Sequence, residues 1–171
     1  AEAILRTCIR YGPQALETPD SYEARANLMW CSTWAINGFL KMGKPVGWSV
    51  HRMEHELSAF YDVTHGVGLA ILTPNWMRYV LSEGTEGRFA RYGAEVWGLD
   101  RALPPRDLAE AAIEKTREFF HSLGLPATLT EVGIGPEHFE EMARKARTDN
   151  FDHTYVPLSV EDIVNIYRMS L

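Results

Sequence analysis

Cysteine is scarce, two in 171 residues. A framework of several disulfides, the device of small secreted domains, is therefore excluded. Cys8 and Cys31 lie in apolar, helix-patterned surroundings and read as buried thiols of a cytoplasmic protein. No bridge between them is expected, and there is no C-x-x-C pair. Long hydrophobic runs are also missing. No stretch approaches the roughly 20 apolar residues needed to cross a bilayer, and the opening A-E-A-I-L-R lacks the layout of a signal peptide. Positive charge is in deficit, with 17 Lys and Arg against 23 Asp and Glu, a net charge of −6 and a pI near 5.5. That balance argues against nucleic acid or an anionic membrane as the main partner. There is no alternating, strand-like run, no internal repeat and no glycine-rich turn able to hold a pyrophosphate. Gly133-Ile134-Gly135 is too short, and Gly66-Val67-Gly68 follows no strand.

What remains is helical periodicity, in a chain long enough for one domain with a proper core. Ala1 to Leu16 spaces Ile4, Leu5, Cys8 and Ile9 as a helix, with a break expected at Gly12-Pro13. Thr18-Pro19-Asp20-Ser21 supplies start residues for a long helix to about Met42. That helix is apolar on most of its surface from Leu28 to Leu40, which predicts a central helix buried on several sides. Further helices are expected from Gly47 to Tyr61, from Gly66 to about Ser82 with a kink or break near Pro74, and from Glu83 through Trp97. Others should cover Asp107 to Leu123, Glu137 to Thr148, and Val160 to Leu171, the last opened by the cap-then-acid run Ser159-Val160-Glu161-Asp162. Leu125 to Gly135 is irregular, with room for an extended piece. The fold class is all-α, seven to nine helices forming a single domain over residues 1–171. A chain that starts inside an amphipathic helix is expected to be part of something longer.

Three of the six histidines fall in one stretch, W-S-V-H-R-M-E-H-E-L-S-A-F-Y-D-V-T-H-G-V-G-L-A-I-L, from Trp48 to Leu72. His51 and His55 are a turn apart and share a helix face. His65 comes fourteen residues after His51, about 21 Å along an unbroken helix and too far to share an ion. The two meet only if the helix stops and doubles back. Tyr61-Asp62-Val63-Thr64 offers that stop, with Gly66 and Gly68 relieving crowding after it. Imidazole is the commonest nitrogen ligand for zinc and iron, so such a corner has the makings of a metal site. The same residues also suit the polar side of two half-buried helices. His121, His138 and His153 read as surface or helix-end residues.

The run H-R-M-E-H-E-L-S-A-F-Y-D-V-T-H-G-V-G-L-A-I-L-T-P resembles the histidine signature of the iron-containing (group III) alcohol dehydrogenases. It is most similar to the butanol dehydrogenase branch, as is E-A-R-A-N-L-M-W at Glu23 to Trp30. The resemblance extends over the whole chain. It implies the C-terminal helical domain of such an enzyme, of the dehydroquinate synthase-like kind, with the N-terminal nucleotide-binding domain outside this chain. It implies His51 and His65 as ligands of a catalytic divalent ion, Fe²⁺ or Zn²⁺, and His55 as a residue of the cleft facing the nicotinamide. The family's other two ligands, an Asp and a His spaced D-x-x-x-H, are implied to lie before Ala1. NAD(P) would arrive only with the missing domain, and the substrate would be a small alcohol or aldehyde whose hydride passes to the nicotinamide. Two imidazoles alone make a weak metal site. The isolated chain is therefore expected not to oxidise alcohols, and to self-associate through the face its missing domain would cover.

Two other readings stay open. His51-Arg52-Met53-Glu54-His55 fits H-x-x-E-H, the inverted zinc-peptidase motif, with Glu54 activating water and Glu131 at the separation of a third ligand. Glu54 is more simply a solvated helix residue. The chain could also be a non-enzymatic helical interaction domain. Trp48, Phe60, Tyr61 and Phe151 are either the wall of an alcohol pocket or core.

Overall fold

The computed structural model describes residues 1–43, 46–148, 151–152 and 154–171. Among them are eight α-helices and no strand: α1 (Glu2–Glu17), α2 (Tyr22–Ile36), α3 (Ser49–Tyr61), α4 (His65–Tyr79), α5 (Glu86–Trp97), α6 (Pro105–Ser122), α7 (Phe139–Ala146) and α8 (Val160–Met169). The expected all-α class holds. The chain divides into two compact units, Ala1–Lys44 with Ser82–Leu123, and Pro45–Leu81 with Gly124–Leu171.

The first unit holds α1, α2, α5 and α6. Its tightest pairing is α5 on α6, made possible by small residues. A Cβ on Gly93 would lie 3.0 Å from both the Leu108 carbonyl and the Ala112 Cβ, and Ala109 and Ala112 are fully buried beneath it. Proline opens α6 at its first position, where no helical N–H is required. Three expectations fail here. Helix α1 runs straight through Pro13. The ring removes one donor, and packing of the helix on α2 and α5 outweighs that local loss. Helix α2 stops at Ile36, because Gly38 turns the chain at φ +88 before a short 3₁₀ turn, Phe39–Lys41. Nor is α2 central. Only Ala24 and Cys31 are buried, while Trp30 is 62% and Ile36 79% exposed. Its apolar residues encircle the helix, and α1 covers just one side. Cys31 is a buried free thiol, and burial beside it pushes the Cys8 thiol up to about 11.

The second unit packs α3 against α4 and α7, with α8 against α4 and α7. Helix α4 also runs unbroken through its proline, Pro74, which is itself buried. The Thr73 hydroxyl donates to the Leu69 carbonyl at 2.6 Å beside it. Tyr167, fully buried in α8, donates its hydroxyl to the Met53 carbonyl of α3 at 2.7 Å and packs its ring on Phe139. The expected cap of α8 is a complete capping box, with Ser159 and Asp162 each accepting from the other's backbone N–H. Asp162 also accepts from the Tyr79 hydroxyl at 2.5 Å, tying α8 to α4. The stretch after Gly124 holds a 3₁₀ turn, Thr130–Val132, in place of an extended piece, and is anchored by Leu129 N–H to the Ser170 carbonyl at 2.7 Å.

Candidate metal centre

The corner between α3 and α4 lies where the sequence allowed for it. Helix α3 ends at Asp62, the one described non-glycine residue with positive φ (55), a conformation that Asp tolerates better than most side chains. Val63 and Thr64 complete the turn, and His65 is the first residue of α4. The Ser58 hydroxyl bridges the fold-back. It lies 2.6 Å from Glu54 Oε1 and 2.8 Å from the Val63 carbonyl, so its single proton is within reach of either acceptor.

This corner brings the three histidines together. The ring centroids of His51 and His65 are 5.3 Å apart, those of His55 and His65 5.4 Å, and those of His51 and His55 6.4 Å. Trp48 meets His51 edge to face at 4.6 Å. His51 is half-buried, and that burial lowers its pKa from the ordinary histidine value. The neighbouring His65 and His55 push the same way and Glu54 opposes them. A depressed pKa keeps the imidazole neutral and its lone pair available over more of the pH range, as a metal ligand requires.

Glu54 is the residue that sequence reasoning misplaced. It is not solvated but 0% exposed. Its carboxylate meets His65 Nδ1 through Oε2 and lies within reach of the Ser58 hydroxyl through Oε1. Helix phase carried the signal: Met53 and Leu57 are fully buried, and Glu54, one residue after the first and three before the second, lies at the edge of the same face. Of the two glycines after His65, only Gly68 is crowded. A Cβ there would stand 2.7 Å from Glu54 Cγ and 2.8 Å from Oε1, whereas Gly66 faces open space. Among the described residues, Glu54, His55 and His65 form a group whose ligand atoms lie within 4.8 Å of one another.

The remaining residues named from sequence lie elsewhere. His121 is exposed near the end of α6, and His138 is exposed at the start of α7 against Phe60 and Tyr61. Glu131 turns back on its own segment, accepting from the Ala127 N–H at 3.1 Å. His153 lies outside the described residues. So does Asp149, which with His153 makes one D-x-x-x-H spacing within the chain itself. Phe151 is core, whereas Trp48 is partly exposed and lines a cleft of about 330 Å³ with Val46, Val50, Leu69, Trp76 and His51.

An all-α fold that folds a helix back to gather imidazoles over a buried carboxylate defines a metal-capable helical domain. The chain matches the model of the Fe-containing alcohol dehydrogenase family, C-terminal portion, over residues 1–171, and it belongs to that family. It is 54% identical over 172 aligned residues to NADH-dependent butanol dehydrogenase A of Clostridium acetobutylicum, covering 99% of this chain and 44% of that protein. It is 35% identical over 146 residues to the NADPH-dependent aldehyde reductase YqhD of Escherichia coli, covering 85% of this chain and 37% of that protein. The crystal structure of an NADH-dependent butanol dehydrogenase A from Thermotoga maritima superposes with a TM-score of 0.89 at 32% identity, covering 99% of this chain and 44% of that one. The chain thus spans less than half the length of the relatives it matches.

Proposed function

We propose that this chain is the metal-binding half of an NAD(P)-dependent alcohol or aldehyde oxidoreductase of the butanol dehydrogenase kind. The observation that carries this is the fold-back at Asp62, which sets the His51 and His65 rings 5.3 Å apart on two different helices. Two imidazoles this close fit a shared divalent ion at the usual nitrogen–metal distance of about 2.1 Å. Both donors are nitrogens, which suits Fe²⁺ or Zn²⁺. The ion would polarise the alcohol or carbonyl oxygen during hydride transfer. Two ligands are too few for a catalytic site. The other ligands and the nicotinamide-binding residues belong in this reading to the rest of a longer protein, and the chain alone does not turn over alcohols.

The chain's own residues have distinct tasks. His51 and His65 would hold the ion. His55, exposed and with its ring 6.4 Å from that of His51 and 5.4 Å from that of His65, would hold or pass the hydroxyl proton. The cleft that His51 shares with Trp48, Leu69 and Trp76 would take the alkyl chain of a short alcohol, at about 0.8 kcal/mol per buried methylene. Neither rival reading finds such support. The Glu54 carboxylate is committed to His65 and Ser58, and Glu131 to its own turn. Self-association through a face that the rest of a longer protein would cover also belongs to this proposal; α2, with Trp30 and Ile36 exposed, offers an apolar surface at which to test it.

Titration of the metal-free chain with Co²⁺, followed by its absorption spectrum, tests the ligand assignment. Saturable binding lost in both His51→Ala and His65→Ala, and kept in His138→Ala, is expected. Unchanged binding in the first two variants would sink it.

A further inference from the structure

We propose that Glu54 is a positioning residue that holds His65 in the Nδ1–H tautomer, so that Nε2 is the nitrogen carrying the free lone pair at the centre. This goes beyond the assignment of His65 as a ligand and rests on that assignment only for its consequence. Four features place the carboxylate for this task. It is fully buried, in a helix whose neighbouring apolar residues bury it. Its Oε2 is on His65 Nδ1, so one face of the imidazole is already engaged. Its Oε1 has the Ser58 hydroxyl at 2.6 Å, and Ser58 also reaches the Val63 carbonyl of the corner. Finally, α4 passes so close over Glu54 that a Cβ at position 68 would stand 2.7 Å from its Cγ and 2.8 Å from its Oε1 and push the carboxylate aside.

Chemistry sets the direction of the hydrogen bond. A buried carboxylate needs donors, and one oxygen has the Ser58 hydroxyl. The imidazole N–H is the donor available to the other. Once Nδ1 carries the proton, the neutral ring keeps its lone pair on Nε2, on the far side from Glu54. A carboxylate behind a metal-binding histidine fixes ring orientation and raises ligand basicity, and losing such a partner typically weakens metal binding about 10- to 100-fold. The H-x-x-E-H spacing thereby gains a different meaning. In this reading Glu54 would stand behind one of the ligands, on His65 Nδ1, rather than activate water.

Nitrogen-15 NMR of the metal-free chain, at a pH where imidazoles are neutral, reads the tautomer directly. The expected result is His65 with Nδ1 protonated and Nε2 unprotonated, reverting toward the Nε2–H form of free imidazole in Glu54→Leu. A wild-type His65 in the Nε2–H form, or a tautomer unchanged in Glu54→Leu, would overturn the proposal. A residue that merely fills space would not move this readout. Should Glu54→Leu fail to fold, Gly68→Ala displaces the carboxylate without removing a polar atom and is expected to weaken the same bias. A wild-type His65 in the Nε2–H form overturns the proposal whichever variants fold. Co²⁺ titration of Glu54→Leu should show about 10- to 100-fold weaker binding. If instead the tautomer behaves as stated while Co²⁺ shows no site dependent on His65, the ligand assignment fails and the control of the ring by Glu54 stands.

Discussion

Helices α2 and α3 break opposite rules. Helix α3 buries a carboxylate, Glu54, at 0% exposure, whereas α2 leaves Trp30 62% and Ile36 79% exposed. The first exception is answered inside the chain: His65, Ser58 and the glycine at 68 together accommodate the charge. The second has no such answer among the described residues: Trp30 meets Trp34 edge to face within α2 and Trp34 meets Phe39 of the following 3₁₀ turn, yet Trp30 and Ile36 stay exposed. A buried polar group that is fully partnered marks a built site. An exposed apolar face marks a surface whose energetic role is not internal to the chain.

That contrast can be broken or sharpened by measurement. The largest effect is expected for His65→Leu, which leaves the buried Glu54 carboxylate without its ring partner. Losing one partner of a buried charge costs about 3–5 kcal/mol in full burial; because the His65 side chain is 47% exposed and water can enter, about 2–3 kcal/mol is expected here. Urea unfolding checks this, and a loss below about 0.5 kcal/mol would mean that the carboxylate needs no partner.

A smaller effect is expected at Asp162, the polar anchor of α8. Burial alone would raise its pKa, but hydrogen bonds from Tyr79 and Ser159 outweigh that and hold its carboxyl below the ordinary aspartate value. Asp162→Ala should cost about 1 kcal/mol at neutral pH, through loss of its half of the capping box and of the hydrogen bond from Tyr79. Since the folded-state pKa is depressed, the stabilisation is complete above the ordinary carboxylate value and is lost as pH falls through the folded value. The difference between wild type and variant should therefore shrink on acidification below about pH 4. A difference that persists unchanged at pH 2 would mean that the charge contributes nothing.

The smallest effect on stability is expected in α2. Trp30→Ser and Ile36→Asn should change unfolding free energy by no more than about 0.5 kcal/mol. They should also lower any concentration-dependent mass seen by light scattering. A large destabilisation would show that these side chains serve the chain's own core, and a wild-type chain that stays monomeric at all concentrations would remove the proposed self-association.

Much of this was legible in the residue order. The corner was readable because it is a matter of local chemistry. Tyr61-Asp62-Val63-Thr64 interrupts a helical pattern, and Asp is among the few residues that accept the left-handed turn it takes. The capping box at Ser159 was readable for the same reason. Pro13 and Pro74 misled, since a proline's penalty is local whereas the packing that overrides it involves partners far away in the chain. Helix α2 misled in the other direction, because an all-round apolar composition says that burial is possible but not what is there to provide it.

Helix content, the class of fold and the meeting of His51 with His65 follow from spacing, caps and breakers, which act over a few residues. The burial of Glu54 and the exposure of Trp30 do not. Both depend on which helix passes over which, and that is settled by long-range packing, where one missing Cβ at Gly68 determines whether a carboxylate can lie beneath it.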